Sequence, residues 1–580
     1  MAKIRLPPTV SIHARGVLPN PWDGVAFVLI IGLLALVAHA AHEMTIPLAV
    51  ATSSPISLDP HVLPEYALRT TLRMILALLA SLLFTFTYAT LAAKVRRAEV
   101  LLVPILDILQ SVPILGFISV TIVLFMAMFP GSLMGAEVAA IFAIFTSQAW
   151  NMAFSFYQGL RTVPKDLDEA SRSFRLSAWL RFWRVDVPFA MPGLIWNMMM
   201  SMSGGWFFVV AAEAISVGNT TITLPGVGSY IALAIQKQDL QAIGWAVLSM
   251  LGVILAYDQL LFRPLVAWAE RFRFEQEVGK TAPTSWVLIV LRRARLIQAL
   301  ATVPRRLARL TGAYRSPAAT SRRIAGAAGS RRMLLGDILW YTAVAAGVAY
   351  VAWRIVAFLA SGLGLHDVVD AVLAGFVTFL RVVILIALAS AIWVPIGVWI
   401  GLRPQAARVA QPVAQFLAAF PANLLFPVAV SLIHRYGLSP NVWLSPLMVL
   451  GTQWYILFNV VAGASAFPAD LRYAAANLHV RGWQWWRRAI LPGIFPYYLT
   501  GAITASGGSW NASVVAEYVS WGDTRLTAYG VGAYIAKATD AGDYHRIMLG
   551  IAVMAIFVLL CNRLLWRPLF LFAERRLTLD

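Results

Sequence analysis

Long apolar runs separated by short polar segments dominate the chain. They fall at 24–41, 70–93, 101–129, 134–158, 189–214 and 242–265, and again at 337–361, 371–401, 411–433, 441–465, 493–518 and 547–570. About 20 apolar residues suffice for a helix to cross the hydrocarbon layer of a bilayer. The runs are continuous rather than alternating, so they do not read as the strands of a membrane barrel. Several contain Gly and Pro, which bundles in lipid tolerate. The pattern predicts an all-α polytopic membrane protein of about 12 transmembrane helices, in two sets of six.

Composition narrows the class further. Of 580 residues, 60% are hydrophobic and 13% charged, whereas a soluble domain has about a quarter of its residues charged. A disordered chain, a soluble enzyme and a fibrous protein are excluded. The net charge of +19 reads as an excess of cytoplasmic Lys and Arg, with the lipid bilayer as partner and no nucleic acid. Lys94, Arg96 and Arg97 follow the second run. Arg161, Lys165, Arg172, Arg175, Arg181 and Arg184 separate the fourth from the fifth. Arg403 and Arg408 follow the eighth, and Arg472, Arg481, Arg487 and Arg488 separate the tenth from the eleventh. The intervening segment 42–68 carries Glu43, Asp59 and Glu65 without Lys or Arg, and 362–370 carries Asp367 and Asp370. Both termini are therefore expected in the cytoplasm. Lys3, Arg5 and Arg15 precede the first run, which reads as a retained span rather than a cleaved signal.

Segment 263–333 is the most basic, with fifteen Lys or Arg against three Glu. Trp286–Leu291 followed by Arg292, Arg293 and Arg295 reads as an amphipathic helix on the cytoplasmic leaflet, and Gly312–Gly329 as a flexible linker. Anionic lipid or a regulatory partner could each be its target. The expected division is a first repeat over 1–270 (core 70–270), a basic linker over 271–333, and a second repeat over 334–580 (core 375–575). The single cysteine, Cys561, excludes an intrachain disulfide and a thiolate metal cluster. No pair of the eight His residues has zinc-ligand spacing with acidic support, so no metal site is expected.

The two halves are copies. At an offset of 304, Trp150 meets Trp454, Pro164 meets Pro468, Asp166-Leu167 meets Asp470-Leu471, and Trp179 meets Trp483. Pro188, Pro192 and Glu213 meet Pro492, Pro496 and Glu517; Gly226, Gly228 and Tyr230 meet Gly530, Gly532 and Tyr534. Arg263-Pro264-Leu265 meets Arg567-Pro568-Leu569. Earlier in the halves, at an offset of 308, Arg73 meets Arg381, Pro104 meets Pro412 and Pro113 meets Pro421. Repeats of equal topology imply a pseudo-two-fold axis along the membrane normal with a pathway on it, which is transporter architecture.

One loop in each half is distinctive. Pro164 to Pro188 and Pro468 to Pro492 each open with Pro and Asp at a helix start and close with a Pro that begins the next span. Leu167, Ala170, Phe174 and Trp179, and Leu471, Ala474 and Leu478, recur at helical spacing, as suits a short helix seated in a groove of a soluble partner. These loops resemble the EAA loop of ATP-binding-cassette (ABC) importer permeases. Glu169-Ala170-Ser171 and Pro188 match its pattern in the first half, and Tyr473-Ala474-Ala475 and Pro492 in the second. Arg175 and His479 stand where the family has Gly, and Tyr473 where it has Glu. The turn between two short helices is therefore expected to be built differently, and the two loops to contact ATPases differently.

With the Ser-Val-Pro-Ile and Phe-Pro-Ala runs and the Leu-Pro-Gly-Val-Gly-Ser-Tyr-Ile segment, the chain resembles a duplicated permease of the nitrate, sulfonate, taurine and bicarbonate class, with a type I importer fold. The resemblance implies two cytoplasmic ABC ATPase subunits, an extracytoplasmic solute-binding protein, a small oxyanion or organic sulfonate as cargo, and a place in the bacterial inner membrane. Coupling to the ATPases would fall to Asp166, Glu169, Ala170, Ser171, Phe174 and Arg175 and to Asp470, Tyr473, Ala474, Ala475, Leu478 and His479.

The chain lacks a P-loop: Gly279-Lys280-Thr281 has Phe274 where the first Gly is needed. It is not expected to be an enzyme, and ATP and Mg would bind partner subunits rather than this chain. The expected substrate pathway lies on the fifth span of each half, through Asn197, Ser201, Ser203, Trp206 and Glu213, and through Ser506, Ser509, Trp510, Asn511, Ser513 and Glu517. The small and hydroxyl residues there serve equally as close-packing positions or as neutral donors to an oxyanion. Glu213 and Glu517 repel anions and read as gate or structural partners. Trp150 and Trp454 suit a core as well as a pathway wall. The Gly-rich segments 215–240 and 519–545 are expected to shape an outer gate and a docking surface. The alternative is an ion-coupled secondary transporter of twelve spans, which wants ionisable groups at mid-span.

Overall fold

The computed structural model describes residues 56–269, 285–294 and 327–576, apart from 112–113, 175, 218–219, 466, 468 and 523, together with Gly24, Phe27, Ile31, Gly32 and Phe272. Most of the first apolar run, the segment before it and most of the 271–333 linker lie outside the described residues. The chain forms two compact units. One comprises 1–39, 162–195 and 256–323; the other comprises 40–161, 196–255 and 324–580.

The first half runs through α1 (Leu63–Lys94), α2 (Arg96–Ser111), α3 (Ile114–Met128), α4 (Met134–Arg161), α5 (Lys165–Ser173) and α6 (Val187–Glu213). A hairpin of β1 (Ala214–Val217) and β2 (Thr220–Thr223) follows, then α7 (Val227–Gln236) and α8 (Leu240–Tyr257). The second half opens with α9 (Ala327–Gly362) and then repeats that order. It has α10 (Leu365–Gly401), α11 (Pro404–Ala419), α12 (Phe426–Arg435), α13 (Gln453–Ser465), α14 (Ala469–Asn477) and α15 (Leu491–Ala516). The hairpin of β3 (Tyr518–Trp521) and β4 (Thr524–Thr527) leads to α16 (Val531–Ala541) and α17 (Tyr544–Cys561). The hairpins share a register, Ala214 opposite Thr223 and Tyr518 opposite Thr527.

Even the irregularities repeat. A π-helical turn at Phe182–Asp186 precedes α6 and one at Trp486–Ile490 precedes α15. Another follows α8 at Asp258–Phe262 and its counterpart follows α17 at Asn562–Trp566. Such bulges are rare, so their recurrence 304 residues on records the duplication in the backbone.

Among the described residues, seven helices are long and apolar enough to cross a membrane, or eight if the bent pair Pro440–Leu450 and Gln453–Ser465 (44°) is one span. The expected continuous span at 411–433 is broken instead, since α11 ends before Pro421; in 101–129 the described helices are α2, to Ser111, and α3, from Ile114. Proline lacks the N–H that the helix ladder needs and pushes the preceding residue out of helical conformation. Pro421 is extended (φ −68°, ψ 108°), and only the short turn Ala422–Leu425 intervenes before α12.

Within the second unit both halves share one core. Ile122, Ala136, Ala139 and Phe208 of the first half join Val382, Leu385, Met448, Ile456, Trp510 and Met554 of the second. Two charged clusters are set into this apolar surround. Arg73 of α1 is wholly buried. Its guanidinium donates to both oxygens of Glu137 in the first turn of α4 (2.6 and 2.7 Å), to Glu213 at the end of α6 (2.6 Å) and to the Pro225 carbonyl (3.0 Å). Glu213 also accepts from the Thr70 hydroxyl (2.7 Å) and the Gly228 N–H (2.6 Å). A Cβ on Gly226 would overlap the Glu213 carboxylate, so only glycine lets the start of α7 close over it. The second half builds the same device. Arg381 (2.8 Å) and Thr378 (2.8 Å) donate to Glu517, as do the Gly532 and Ala533 N–H groups (2.9 and 3.2 Å). Here the residue in the place of Glu137 is Asn441, whose carbonyl oxygen accepts from Arg381 (3.4 Å) and the Tyr529 N–H (2.7 Å).

Removing one member of a buried ion pair strands the other charge, at a cost of about 3–5 kcal/mol. Arg73→Met strands two carboxylates and is expected to lower thermal stability in detergent by about that much. Arg381→Met strands one carboxylate beside an arginine site that is 11% exposed, and is expected to cost less. Equal losses would refute the inequality of the two clusters.

Candidate functional site

A cavity of about 120 Å³ lies in the second unit. Its wall is drawn from both halves at repeat-matched positions. Ser147 and Gly451, Asn151 and Tyr455, Gly204 and Gly508, Phe207 and Asn511, and Phe208 and Ala512 all line it, and each pair is 304 residues apart. Thr146, Trp150, Phe420, Thr452, Thr504 and Gly507 extend the wall. No lining residue is charged. Its hydroxyls are parked on helix carbonyls: Thr146 on Ala143 (2.8 Å), Ser147 on Ile144 (2.6 Å) and Thr504 on Thr500 (2.9 Å). A hydroxyl proton rotates to suit its partner, so these groups can be turned toward a guest.

Of the expected pathway residues the cavity takes in Asn511, while most of the others face elsewhere. Ser201, Ser506, Ser509 and Ser513 are buried. Ser509 bonds the Ala505 carbonyl (2.8 Å) and the Thr452 hydroxyl (2.9 Å), and Ser513 bonds the Trp510 carbonyl (2.7 Å). Close packing between helices is their observed setting. Trp206 and Trp510 are core residues, Asn197 donates to Ser155 (2.9 Å), and the Ser203 side chain lies outside the described residues. Glu213 and Glu517 are held in the two arginine clusters. Trp150 lines the cavity, whereas Trp454 packs on Trp393 (5.0 Å between centroids). Arg73, Arg381 and Glu137 were not singled out from sequence as partners. The signal was a repeat-matched arginine inside an apolar run.

The two loop helices differ in setting. In the first unit, α5 exposes Asp166, Glu169 and Ala170, buries Ser171, and ends at Phe174, which is 78% exposed. Asp168 is paired with Arg172 (2.7 Å). Arg175 lies outside the described residues. In the second unit, α14 exposes Tyr473 and Ala474 and buries Ala475; Leu478, 304 residues after Phe174, is 76% exposed. The Asp470 side chain lies outside the described residues.

Both helices end with the same wrap-back bonds, so the two turns are built alike although neither carries the glycine of the family pattern. Phe174 N–H donates to Ala170 (2.9 Å) and Leu176 N–H to Ser171 (3.1 Å); Leu478 N–H donates to Ala474 (2.9 Å) and Val480 N–H to Ala475 (2.9 Å). His479 adopts the left-handed conformation itself (φ 53°), with ring Nδ1 at 3.0 Å from the Asn477 carbonyl. That conformation costs a residue with a Cβ roughly 1 kcal/mol. His479→Gly is therefore expected to raise thermal stability by about that amount; a lower melting temperature would mean that the ring contact outweighs the backbone cost.

Comparison with known proteins places this geometry. A family model described as the binding-protein-dependent transport system inner membrane component matches residues 85–263 and again 355–567, more than half of the chain. The bicarbonate transport system permease protein CmpB of Synechococcus elongatus is 26% identical over 177 residues, 30% of this chain and 57% of that protein. The nitrate import permease protein NrtB of Leptolyngbya laminosa is 25% identical over 184 residues, 32% of this chain and 62% of that protein. The glycine betaine/proline betaine permease ProW of Escherichia coli is 28% identical over 163 residues, 28% of this chain and 41% of that protein. The chain thus spans less than two thirds of the length of each of these relatives. With two copies of the matched domain in one polypeptide, the chain belongs to the family of binding-protein-dependent transport system inner membrane components.

Proposed function

We propose that the chain is the permease subunit of an ABC importer for a small anion, both halves in one polypeptide, with twelve spans as two tandem six-helix repeats and both termini in the cytoplasm. The observation that carries this reading is the cavity walled by the same positions of both repeats. A duplicated bundle has its pathway where equivalent residues face each other. The repeats divide as 1–270 and 334–580, with 271–333 as a basic cytoplasmic linker.

Two cytoplasmic ATPase subunits dock on residues 165–175 and 469–479, and ATP and Mg bind there rather than in this chain. Phe174 and Leu478, matched across the repeat and left bare, are apolar groups of the kind that a partner's groove covers. The salt-bridge chemistry differs between the sites, since Glu169 is replaced by Tyr473. ATP-driven closure of the ATPases moves these helices and, through the spans that follow them, opens the cavity alternately to each face. A solute-binding protein delivers cargo at the outer face. Among the described residues, the three buried glutamates, Glu137, Glu213 and Glu517, are all paired with arginines, and the cavity lining is uncharged, which speaks against a secondary carrier with its coupling carboxylate in the pathway.

The cavity also bears on the cargo. Neutral hydroxyls and amides hold an anion weakly enough to release it. Phe207 and Phe208 stand where the other half has Asn511 and Ala512, and Trp150 and Phe420 add aromatic surface. Aromatic rings in the wall beside hydroxyls and amides suit an anion with an apolar body, an organic sulfonate, better than nitrate or bicarbonate, which are polar on every side.

Co-purification with the ATPase encoded beside it is expected to give one chain with two ATPase copies by native mass. Phe174→Asp or Leu478→Asp is expected to cut ATP-dependent uptake at least ~10-fold, the loss of one well-buried contact, with thermal stability unchanged. A chain that binds no ATPase and takes up solute along an ion gradient would overturn the reading. In proteoliposomes with the cognate binding protein, an alkanesulfonate is expected to accumulate in preference to nitrate; the reverse order would refute the assignment of the aromatic wall.

A further inference from the structure

Besides His479, Gln238 is the one described non-glycine residue with a left-handed backbone (φ 56°). It closes the C-terminus of α7. Lys237 N–H donates to Leu233 (2.9 Å), Gln238 N–H to Ile235 (3.2 Å) and Asp239 N–H to Ala234 (2.9 Å), the wrap-back that glycine ordinarily completes. The second half ends α16 in the same way, with Gly542 N–H on Thr539 (3.0 Å) and Asp543 N–H on Ala538 (2.9 Å). The residue 304 positions after Gln238 is Gly542 itself, at φ 68°. The repeat thus contains its own control: the position takes glycine in one copy, and the other copy keeps a side chain there against the backbone preference.

That side chain reaches the other half. Its amide nitrogen lies 3.4 Å from the Trp521 carbonyl, at the tip of the β3–β4 hairpin. The next residue, Gly522, donates its N–H to the Ile235 carbonyl (3.1 Å). Gly522 is left-handed (φ 57°), and a Cβ on it would collide with the Gln238 amide. The hairpin of the second repeat is therefore tied by its backbone to the end of α7 in the first and covered by one strained glutamine. The reciprocal position, Gly542, has no side chain to offer, so the cover is one-sided.

We propose that Gln238 is a latch between the two repeats, holding them together on the face opposite the ATPase-docking helices and letting go when that face opens. The placement rests on the importer reading, in which α7 and the hairpins lie one membrane crossing beyond the docking helices.

The test begins in a Cys561→Ser background, which removes the only native thiol. Gln238→Cys with Trp521→Cys is expected to be bridged by a short bis-maleimide in the purified chain without ATPase, and the yield to fall about fivefold when the ATPase complex is trapped with ATP and vanadate. In the reconstituted complex without binding protein, Gln238→Gly is expected to raise ATP hydrolysis about fivefold, the shift worth one hydrogen bond, while thermal stability holds or rises. Gln238→Ala keeps the backbone strain and loses the amide; it is expected to raise hydrolysis equally and to lower stability. A turn with no gating role predicts unchanged hydrolysis for both. An unbridged pair, a yield indifferent to trapping, or unchanged hydrolysis in Gln238→Gly overturns the latch and leaves the importer reading standing. Absence of a bound ATPase overturns the importer reading instead.

Discussion

An arginine inside an apolar bundle is tenable only if carboxylates come to meet it, and those carboxylates are tenable only if the arginine stays. This mutual requirement fixes more of the molecule than any single apolar contact. Arg73 joins α1 to the first turn of α4, the last residue of α6 and the turn that starts α7. Each residue of an α-helix turns the face by about 100°, so a slip of one residue in α1 would leave three buried charged groups unmatched. The hairpins inherit their position from the same point. Each begins immediately after the clustered glutamate, and each helix that follows aims its first N–H groups at that carboxylate, where the helix dipole adds to the hydrogen bonds.

The two repeats meet this requirement unequally. Glu137 becomes Asn441, so one arginine faces two carboxylates and the other faces a carboxylate and an amide. The same inequality recurs where Phe207 faces the cavity opposite Asn511, where Glu169 becomes Tyr473, and where Gln238 becomes Gly542. Two identical subunits related by a two-fold axis must carry the same residue at both places. A fused chain has no such constraint, and these four differences lie in an arginine cluster, at the cavity, in the loop helices proposed for docking and at the α7–hairpin junction. The backbone around them keeps its π-helical turns at matched positions and the left-handed end shared by α7 and α16.

What was legible in the sequence follows from what hydropathy and repetition record. Apolar runs, the duplication and the two short amphipathic loops are local or periodic signals, and the described helices follow them. The break before α12 was not legible as a break, because an apolar run has the same hydropathy whether it is one helix or two; Pro421 carried the information. The polar stripe of α15 was visible, but its two faces were not separable. Ser506, Ser509 and Ser513 fall on the buried side, while Thr504, Gly507, Gly508 and Asn511 fall on the cavity side. Helical spacing gives both stripes and cannot say which one a neighbouring helix covers. The arginine clusters escaped for a different reason: each arginine lies 60 to 140 residues from its side-chain partners in sequence, and no local pattern joins them.

The separation of charge from cavity has a kinetic consequence. At an effective dielectric constant near 20, an opposite charge 4 Å away is worth about 4 kcal/mol, and a site that held its anion so firmly would release it roughly a thousandfold more slowly than a neutral one. Every arginine of the two clusters is already committed to glutamate, so none is left to trap a passing anion. The cavity is lined with hydroxyls, amides and aromatic faces, which select by shape and by hydrogen bonding that costs little to undo. In the proposed importer, specificity of the tight kind would belong to the protein that delivers the cargo, and the permease would be left with the weaker task of letting the cargo through. Pairing the buried charges with one another is what makes that division possible.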